Sequence, residues 1–232
     1  MKHNTNYFID WKQYDKVGIL GGTFNPIHNG HLMMAKTAKF FVPQLDKIVF
    51  MPNNIPAYKN QSLIVSNEHR LAMLQCALKD MSYTTISDME LRRGGMTYTV
   101  DTLNEIHSIN PALKIYFIIG ADSLFSFSKW YHYKQILTKC TLLVAARNSE
   151  TKKLYEACSS LTNNYSYGEI ILLNNDEYNV SSSEIRTMLE NGIIPENKLP
   201  NNVIHYIVNN KLYGLDKYDE SRKNDGTTQN QY

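Results

Sequence analysis

Cysteine, long apolar runs and net charge are all scarce in this sequence. Its three cysteines, Cys76, Cys140 and Cys158, stand far apart and form no CxxC pair, which argues against a disulfide framework or a zinc cage. No apolar run approaches the length of a membrane-spanning helix, and the first residues contain no apolar signal core. The 24 basic and 22 acidic residues leave a net charge of +2, too small to indicate a nucleic-acid-binding surface. These absences predict a cytoplasmic protein that binds neither membrane nor nucleic acid.

Apolar runs alternate with helical patterns along most of the 232 residues. Strands are predicted at 17–20, 47–51, 84–89, 114–119, 140–145 and 169–173. Helices are predicted at 30–41, 67–79, 99–109, 133–139, 151–159, 182–190 and 201–211. This alternation favours an α/β, Rossmann-like, doubly wound and mostly parallel sheet with helices on both faces and a C-terminal helical segment. We predict an N-terminal extension at 1–15, one domain at 16–213 and a polar, disordered tail at 214–232.

Residues 21–32, GGTFNPIHNGHL, join the first predicted strand to the first predicted helix. His28 and His31 share one face of the first helical turn, beside backbone N–H groups and the positive end of the helix dipole, which attract phosphate. The glycines let the backbone approach a ligand closely. Histidines that are merely exposed or satisfied in the core are the plainer alternative. A zinc site lacks a third ligand nearby. The whole segment favours phosphate binding.

Residues 180–186, VSSSEIR, form a second candidate phosphate site. Ser181 and Glu184 fit the capping box that opens a helix. That explanation does not cover three consecutive hydroxyls followed by Arg186 one turn later, a combination suited to phosphate oxygens.

Three further segments are individually weaker. Asp122 follows a predicted strand, where a carboxylate can accept from ribose hydroxyls or cap a helix. Trp130 offers a flat ring for stacking, although an isolated tryptophan often belongs to a core. Arg147 lies at the carboxyl end of a strand, where a surface salt bridge is the alternative.

Together these segments resemble the bacterial nicotinate-mononucleotide adenylyltransferases, members of the nucleotidyltransferase superfamily with the HxGH signature. The likeness runs from about residue 16 to residue 213 and rests on GGTFNPIHNGHL, EHRLAMLQCA, RRGGMTYTVDTL, IIGADSLFSFSKWYHY, VAAR and VSSSEIR. The resemblance implies that nicotinate mononucleotide and ATP react to give deamido-NAD and pyrophosphate in NAD synthesis. The cofactor would be Mg²⁺, held mainly by the ATP phosphates, with no protein metal ligand.

The resemblance also implies roles for the matching residues. The catalytic residues would be His28, His31 and Arg186, which stabilise charge on the transferring phosphate and the departing pyrophosphate. The ATP-binding residues would be Gly21, Gly22, Thr23, Gly120, Asp122, Arg147, Ser182 and Ser183. The nicotinate mononucleotide would be bound by Thr99, Trp130, Tyr131 and Lys59. The indole would stack on the pyridine while backbone amides meet its carboxylate.

Some positions depart from the family pattern. Asn25 stands where the family often has aspartate, and Asn148 follows Arg147 where proline is common. Residues 51–59 keep the basic Lys59 but lack the histidine that usually precedes it.

Other functions remain as alternatives. An adenylyltransferase for nicotinamide mononucleotide or phosphopantetheine would share the phosphate motifs, although Thr99 and the Trp130–Tyr131 pair argue against it. A non-catalytic nucleotide sensor on the same fold would bind ATP without turnover. A class I aminoacyl-tRNA synthetase also has an HIGH-type motif, but this chain is too short for one. A homo-oligomer is possible.

Overall fold

The computed structural model describes residues 7–56, 64–147, 151–162, 168–175 and 180–215. Its strands are β1 (Lys16–Gly22), β2 (Lys47–Pro52), β3 (Ile55–Pro56), β4 (Thr84–Ile86), β5 (Met96–Thr97), β6 (Lys114–Gly120), β7 (Thr141–Arg147) and β8 (Ile170–Asn175). Its helices are α1 (Asn29–Phe41), α2 (Asn67–Leu78), α3 (Met89–Arg93), α4 (Thr99–Ile109), α5 (Ala121–Phe125), α6 (Tyr133–Lys139), α7 (Thr151–Thr162), α8 (Ser182–Glu190) and α9 (Asn201–Asn209).

Six strands form one sheet in the order β4-β2-β1-β6-β7-β8, and each neighbouring pair is parallel. This confirms the predicted Rossmann-like, doubly wound sheet. The winding reverses between β1 and β6, which lie side by side with Leu20 opposite Ile118. In open α/β sheets, ligands bind beyond the carboxyl ends of the strands at such a switch point. The crevice beyond Gly22 and Gly120 is therefore the expected ligand site.

Helices cover both faces of the sheet because alternate strand residues point to opposite sides. On one face, Val17 and Ile19 belong to a core that includes residues of α3 to α7. On the other face, Leu20 belongs to a core built with α1, α2, α8 and α9. A small separate ladder joins β3 to β5, and the sequence analysis did not predict it.

The predicted strand at 84–89 was too long. β4 ends at Ile86, and α3 begins at Met89. The hydroxyl of Ser87 accepts from the backbone N–H of Met89 at 3.4 Å, which helps turn the chain into a helix. Met89 and Glu90 are buried as helix residues, so an apolar pattern alone did not distinguish them from a strand.

Residues on both sides of the predicted domain pack against it. Trp11 is 1% exposed, and its carbonyl accepts from the side-chain amide of Asn110 at 3.1 Å. Leu215 packs against the core on the opposite side of the sheet. The remaining tail, 216–232, lies outside the described residues. No helix within the described ranges is long and apolar enough to cross a membrane.

Candidate active site

The turn between β1 and α1 is buried from Thr23 to His28. Phe24 has a φ of 48°, and the Asn25–Pro26 peptide is cis. The backbone becomes extended at His28, the N-cap residue, and α1 follows. The predicted strand–turn–helix therefore lies at the switch point of the sheet.

The two histidines stack on each other. Their ring centroids are 3.7 Å apart, with 27° between the ring planes. The backbone N–H of His28 donates to Nδ1 of His31 at 3.3 Å. Because that nitrogen accepts, the neutral His31 ring carries its proton on Nε2, from which it can donate to a phosphate oxygen.

Gly30 lies close to the His28 ring. A Cβ at this position would lie 3.0 Å from Nδ1 of His28 and 3.1 Å from its Cε1. A side chain here would crowd the His28 ring and shift it by a few tenths of an ångström, so glycine suits the position between the two histidines.

Helix α8 brings the second predicted phosphate segment onto this turn. Ser181 caps the helix by accepting from the Glu184 N–H at 3.1 Å. The Ser182 hydroxyl donates to the Pro26 carbonyl at 3.1 Å. Arg186 donates to the Asn25 carbonyl at 2.9 Å and to the Ser183 hydroxyl at 3.2 Å. Two motifs more than 150 residues apart in sequence thus form one surface.

Two residues to which the sequence analysis gave no role support the same turn. Arg70, on α2, donates to the Thr23 carbonyl at 2.9 Å. The Tyr213 hydroxyl donates to the side-chain oxygen of Asn25 at 2.9 Å. Burial raises the pKa of Tyr213 far above its ordinary value, while the charges of Arg186 and Arg70 act in the opposite direction. The phenol is therefore a neutral donor at any pH at which the protein works.

A signal for Arg70 was available in the sequence. Arg70 shares the buried face of α2 with Met73, Leu74 and Leu78, at helical spacing. An arginine inside an apolar stripe needs a buried acceptor.

The predicted pyridine-binding residues also come together. Trp130 packs edge-on against Phe117 and tilted against Phe127, with centroid distances of 6.3 and 5.0 Å. The rings of Tyr98 and Tyr131 are 4.7 Å apart. Tyr98 immediately precedes Thr99, the first residue of α4. First-turn N–H groups of a helix have no intrahelical acceptor, so this end of α4 can offer donors to a carboxylate.

Phe117 lies between this aromatic group and Gly21, which comes just before the histidine turn. A Cβ on Gly21 would lie 3.4 Å from the Phe117 ring, the same ring that Trp130 contacts. The two groups of predicted site residues are therefore neighbours at the switch point.

A partly buried hydrogen-bond network joins α3 to α4, the helix that begins at Thr99. Thr102 donates to the Glu90 carboxylate at 2.6 Å, and Arg93 bridges Thr102 at 2.9 Å and Glu105 at 2.8 Å. Burial raises the pKa of Glu90 to about 7, although the Thr102 hydrogen bond and the Arg93 charge lower it.

The remaining predicted residues are less closely tied to the turn. Gly120 is the N-cap of α5, and Asp122 lies exposed in its first turn. Arg147 is the last residue of β7, where its backbone pairs with Asn175. Lys59 lies outside the described residues. In the described ranges, no group of three His, Cys, Asp or Glu side chains could hold a metal ion.

The chain is similar to known proteins in sequence and in fold. A model of the cytidylyltransferase-like family matches residues 19–188. A "probable nicotinate-nucleotide adenylyltransferase" of Dehalococcoides mccartyi is 37% identical over 199 residues, covering 85% of this chain and 97% of that protein. Its namesake in Shewanella sediminis is 39% identical over 208 residues, with 85% and 98% covered. The fold is similar to that of Plasmodium falciparum nicotinic acid mononucleotide adenylyltransferase complexed with NaAD, with a TM-score of 0.69, 19% identity, and 87% and 98% covered.

The parallel sheet, with its histidine and serine–arginine motifs joined at the switch point, defines a nucleotidyltransferase of the cytidylyltransferase-like class. Within that class, the protein belongs to the nicotinate-nucleotide adenylyltransferase family, because relatives 37–39% identical match it over nearly their whole length.

Proposed function

We propose that this protein transfers the adenylyl group of ATP to nicotinate mononucleotide, giving deamido-NAD and pyrophosphate in NAD synthesis. The observation that carries the proposal is the direct bonding of α8 to the histidine turn, through Arg186 to Asn25 and Ser182 to Pro26. The two motifs that we propose to bind phosphate are thus in contact, and Phe117 links Gly21 to an aromatic group that suits a pyridine ring.

The reaction needs no general base. The nucleophile is a phosphate oxygen of nicotinate mononucleotide, which is already ionised near neutral pH. It attacks the α-phosphorus of ATP, the new P–O bond forms, and the bond to the bridging oxygen breaks so that pyrophosphate leaves. Catalysis then consists of alignment and charge stabilisation.

In this mechanism, His28 and His31 donate to the transferring phosphate and the leaving group. Arg186, Ser182 and Ser183 hold the triphosphate. Removing one such preorganised donor typically slows an enzyme by about 10²–10³.

Further groups around the turn would hold the nucleotide. Gly21, Gly22 and Thr23 would line the nucleotides, Asp122 would accept from the adenosine ribose, and Gly120 and Arg147 would add contacts at neighbouring strand ends. Mg²⁺ would be held mainly by the ATP phosphates, whose charge it would neutralise. The turn and α8 present imidazole, hydroxyl and guanidinium groups, which suit phosphate oxygens better than a hard cation.

The nicotinate half would be held by Thr99, Trp130 and Tyr131, with Lys59 supplying a further positive charge. Backbone N–H groups near Thr99 and Tyr131 can donate to both oxygens of a carboxylate. An amide would turn its NH₂ toward one donor and leave that donor unpaired, which costs about 1–3 kcal/mol.

A substrate panel tests the proposal. ATP is combined with nicotinate mononucleotide, nicotinamide mononucleotide or phosphopantetheine, and pyrophosphate release is followed. We expect kcat/KM for the acid to exceed that for the nicotinamide form by at least about tenfold, corresponding to roughly 1.4 kcal/mol. The His31→Ala variant, purified in the same way, controls for contaminating activity. Equal rates on both pyridines would indicate a dual-specificity enzyme, and ATP binding without pyrophosphate release would indicate a sensor.

A further inference from the structure

Arg70 is an unusual residue for the interior of this protein. Its side chain is 0% exposed, among the largest that are fully buried. One guanidinium nitrogen donates to the Thr23 carbonyl at 2.9 Å, and another donates to the side-chain oxygen of Asn67. Both acceptors are neutral.

The positive charge of Arg70 is poorly balanced within the described part of the fold. None of the ion pairs found among the described residues includes Arg70, and its Nε is buried without a hydrogen-bond partner in that part of the chain. Burial lowers the pKa of the guanidinium, and the nearby Glu68 carboxylate raises it only in part. A buried charge without a partner destabilises a fold, so packing alone does not account for an arginine here.

Arg70 lies against the turn between β1 and α1, where we propose that phosphate binds. Arg70 engages the Thr23 carbonyl and Arg186 engages the Asn25 carbonyl, so two oxygens of one turn are bound by cations. Carbonyl oxygens repel phosphate, and tying them to guanidinium groups offsets their negative ends. In a low-dielectric interior, the positive charge behind the turn also acts strongly over short distances.

We propose that Arg70 is a positioning residue for the transferred nucleotide: it fixes the turn through Thr23, and the polyphosphate of ATP supplies a counter-charge that no ion pair of the described residues provides. This inference rests on the proposed function because it assigns the polyphosphate to the histidine turn. Arg70 is buried beneath the turn and does not itself touch the phosphates.

Two substitutions separate the effect of the Arg70 charge from the effect of its hydrogen-bond geometry. Arg70→Met removes the charge and the hydrogen bonds, whereas Arg70→Lys keeps a charge but cannot reach both acceptors as a fork. The matched control is Arg92→Met on α3, because Arg92 is half exposed and paired with Asp88.

The binding of inorganic tripolyphosphate and of adenosine is measured by calorimetry, with thermal unfolding of each variant as the folding control. We expect Arg70→Met to weaken tripolyphosphate binding at least tenfold and adenosine binding less than twofold. Arg92→Met should change tripolyphosphate binding less than threefold. A turn that had merely collapsed would weaken both ligands equally, and that result would overturn the proposal.

Turnover supplies the second measurement. Arg70→Lys should bind tripolyphosphate within about threefold of the wild type, yet have a kcat at least tenfold lower, with the melting temperature retained. If Arg70→Met does not fold, the comparison of tripolyphosphate affinity with kcat in Arg70→Lys tests the proposal by itself. Wild-type kcat in Arg70→Lys, or wild-type tripolyphosphate affinity in a folded Arg70→Met, would refute the role. A wild type that binds tripolyphosphate but does not use nicotinate mononucleotide would refute only the proposed function, and the binding comparison would still apply.

Discussion

The two halves of the site are built in opposite ways. The phosphate half comprises the turn from Thr23 to His28 together with α8. The turn is buried and is hydrogen-bonded by side chains from three separate segments. The pyridine half, comprising Thr99, Trp130 and Tyr131, is open, and Tyr131 is 50% exposed. The chain segment that leads to Thr99 contains Gly94 and Gly95. Both have a positive φ, and both have open space where a side chain would stand.

This contrast separates two tasks. Donors that are held in place before the substrate arrives need little reorganisation during the reaction, so the phosphate half is suited to the chemical step. An open aromatic group can adjust to a ring that enters it, so the pyridine half is suited to binding and selection. Damage to the first should lower kcat, and damage to the second should raise KM.

The largest effect is expected for His31→Ala in the phosphate half. Loss of one preorganised donor should lower kcat by about 10²–10³ with the fold retained, as steady-state kinetics and circular dichroism would show. His28→Ala should behave similarly, and the double variant should lose less than the product of the two effects because both rings act on one charge. His205→Ala, an exposed histidine on α9, is the control. Near-wild-type turnover in folded His31→Ala would remove this residue from the mechanism.

The second prediction concerns the support of the pyridine half at Glu90. Burial raises the pKa of Glu90 to about 7, above its ordinary 4.5, so the folded state holds the proton more tightly than the unfolded chain. This contribution to stability is complete below about pH 4.5 and is lost as the pH rises toward 7. Between pH 5 and pH 8, the wild type should lose about 2–3 kcal/mol of unfolding free energy that Glu90→Gln does not lose.

Urea unfolding of both proteins at the two pH values measures this difference. Glu156→Gln, at an exposed position on α7, should retain the wild-type pH dependence. The same pH dependence in Glu90→Gln and the wild type would show that Glu90 does not titrate in this range.

A smaller effect is expected for Trp130→Ala. Loss of ring stacking, worth about 1–3 kcal/mol, should raise KM for both pyridine mononucleotides by about tenfold and largely preserve the ratio of their kcat/KM values. Tyr155→Ala removes a 61% exposed aromatic ring from α7 and should leave both constants unchanged. A large change in the ratio would mean that the indole takes part in selecting the carboxylate.

The smallest effect is expected from removing residues 216–232. This segment is polar and has little apolar surface to bury, whereas Tyr213 and Leu215 before it contact the domain. Activity and melting temperature should stay at wild-type values in the shortened protein. A drop of several degrees in the melting temperature would show that residues 216–232 pack against the domain.

Sequence patterns predicted the histidine turn and the start of α8 better than the long-range hydrogen bonds that hold the turn in place. Local patterns located the histidine turn and the cap at Ser181, because glycine, proline and capping residues act over a few positions. The bond from Arg186 to Asn25 was not predictable, since it joins distant segments. The small β3–β5 ladder was missed because two-residue strands have no measurable period.

The hydrogen bond from Tyr213 to Asn25 spans 188 residues of sequence, and it has a consequence for biosynthesis. A nascent chain emerges from its N-terminus, so the turn is made early but acquires this bond only after nearly the whole domain has been translated. Ordering the turn must wait for a contact of very large sequence separation, the kind that forms slowly. The proposed nucleotide site is therefore incomplete in the nascent chain until its last helices have packed, and we expect ATP binding to arise at the end of folding.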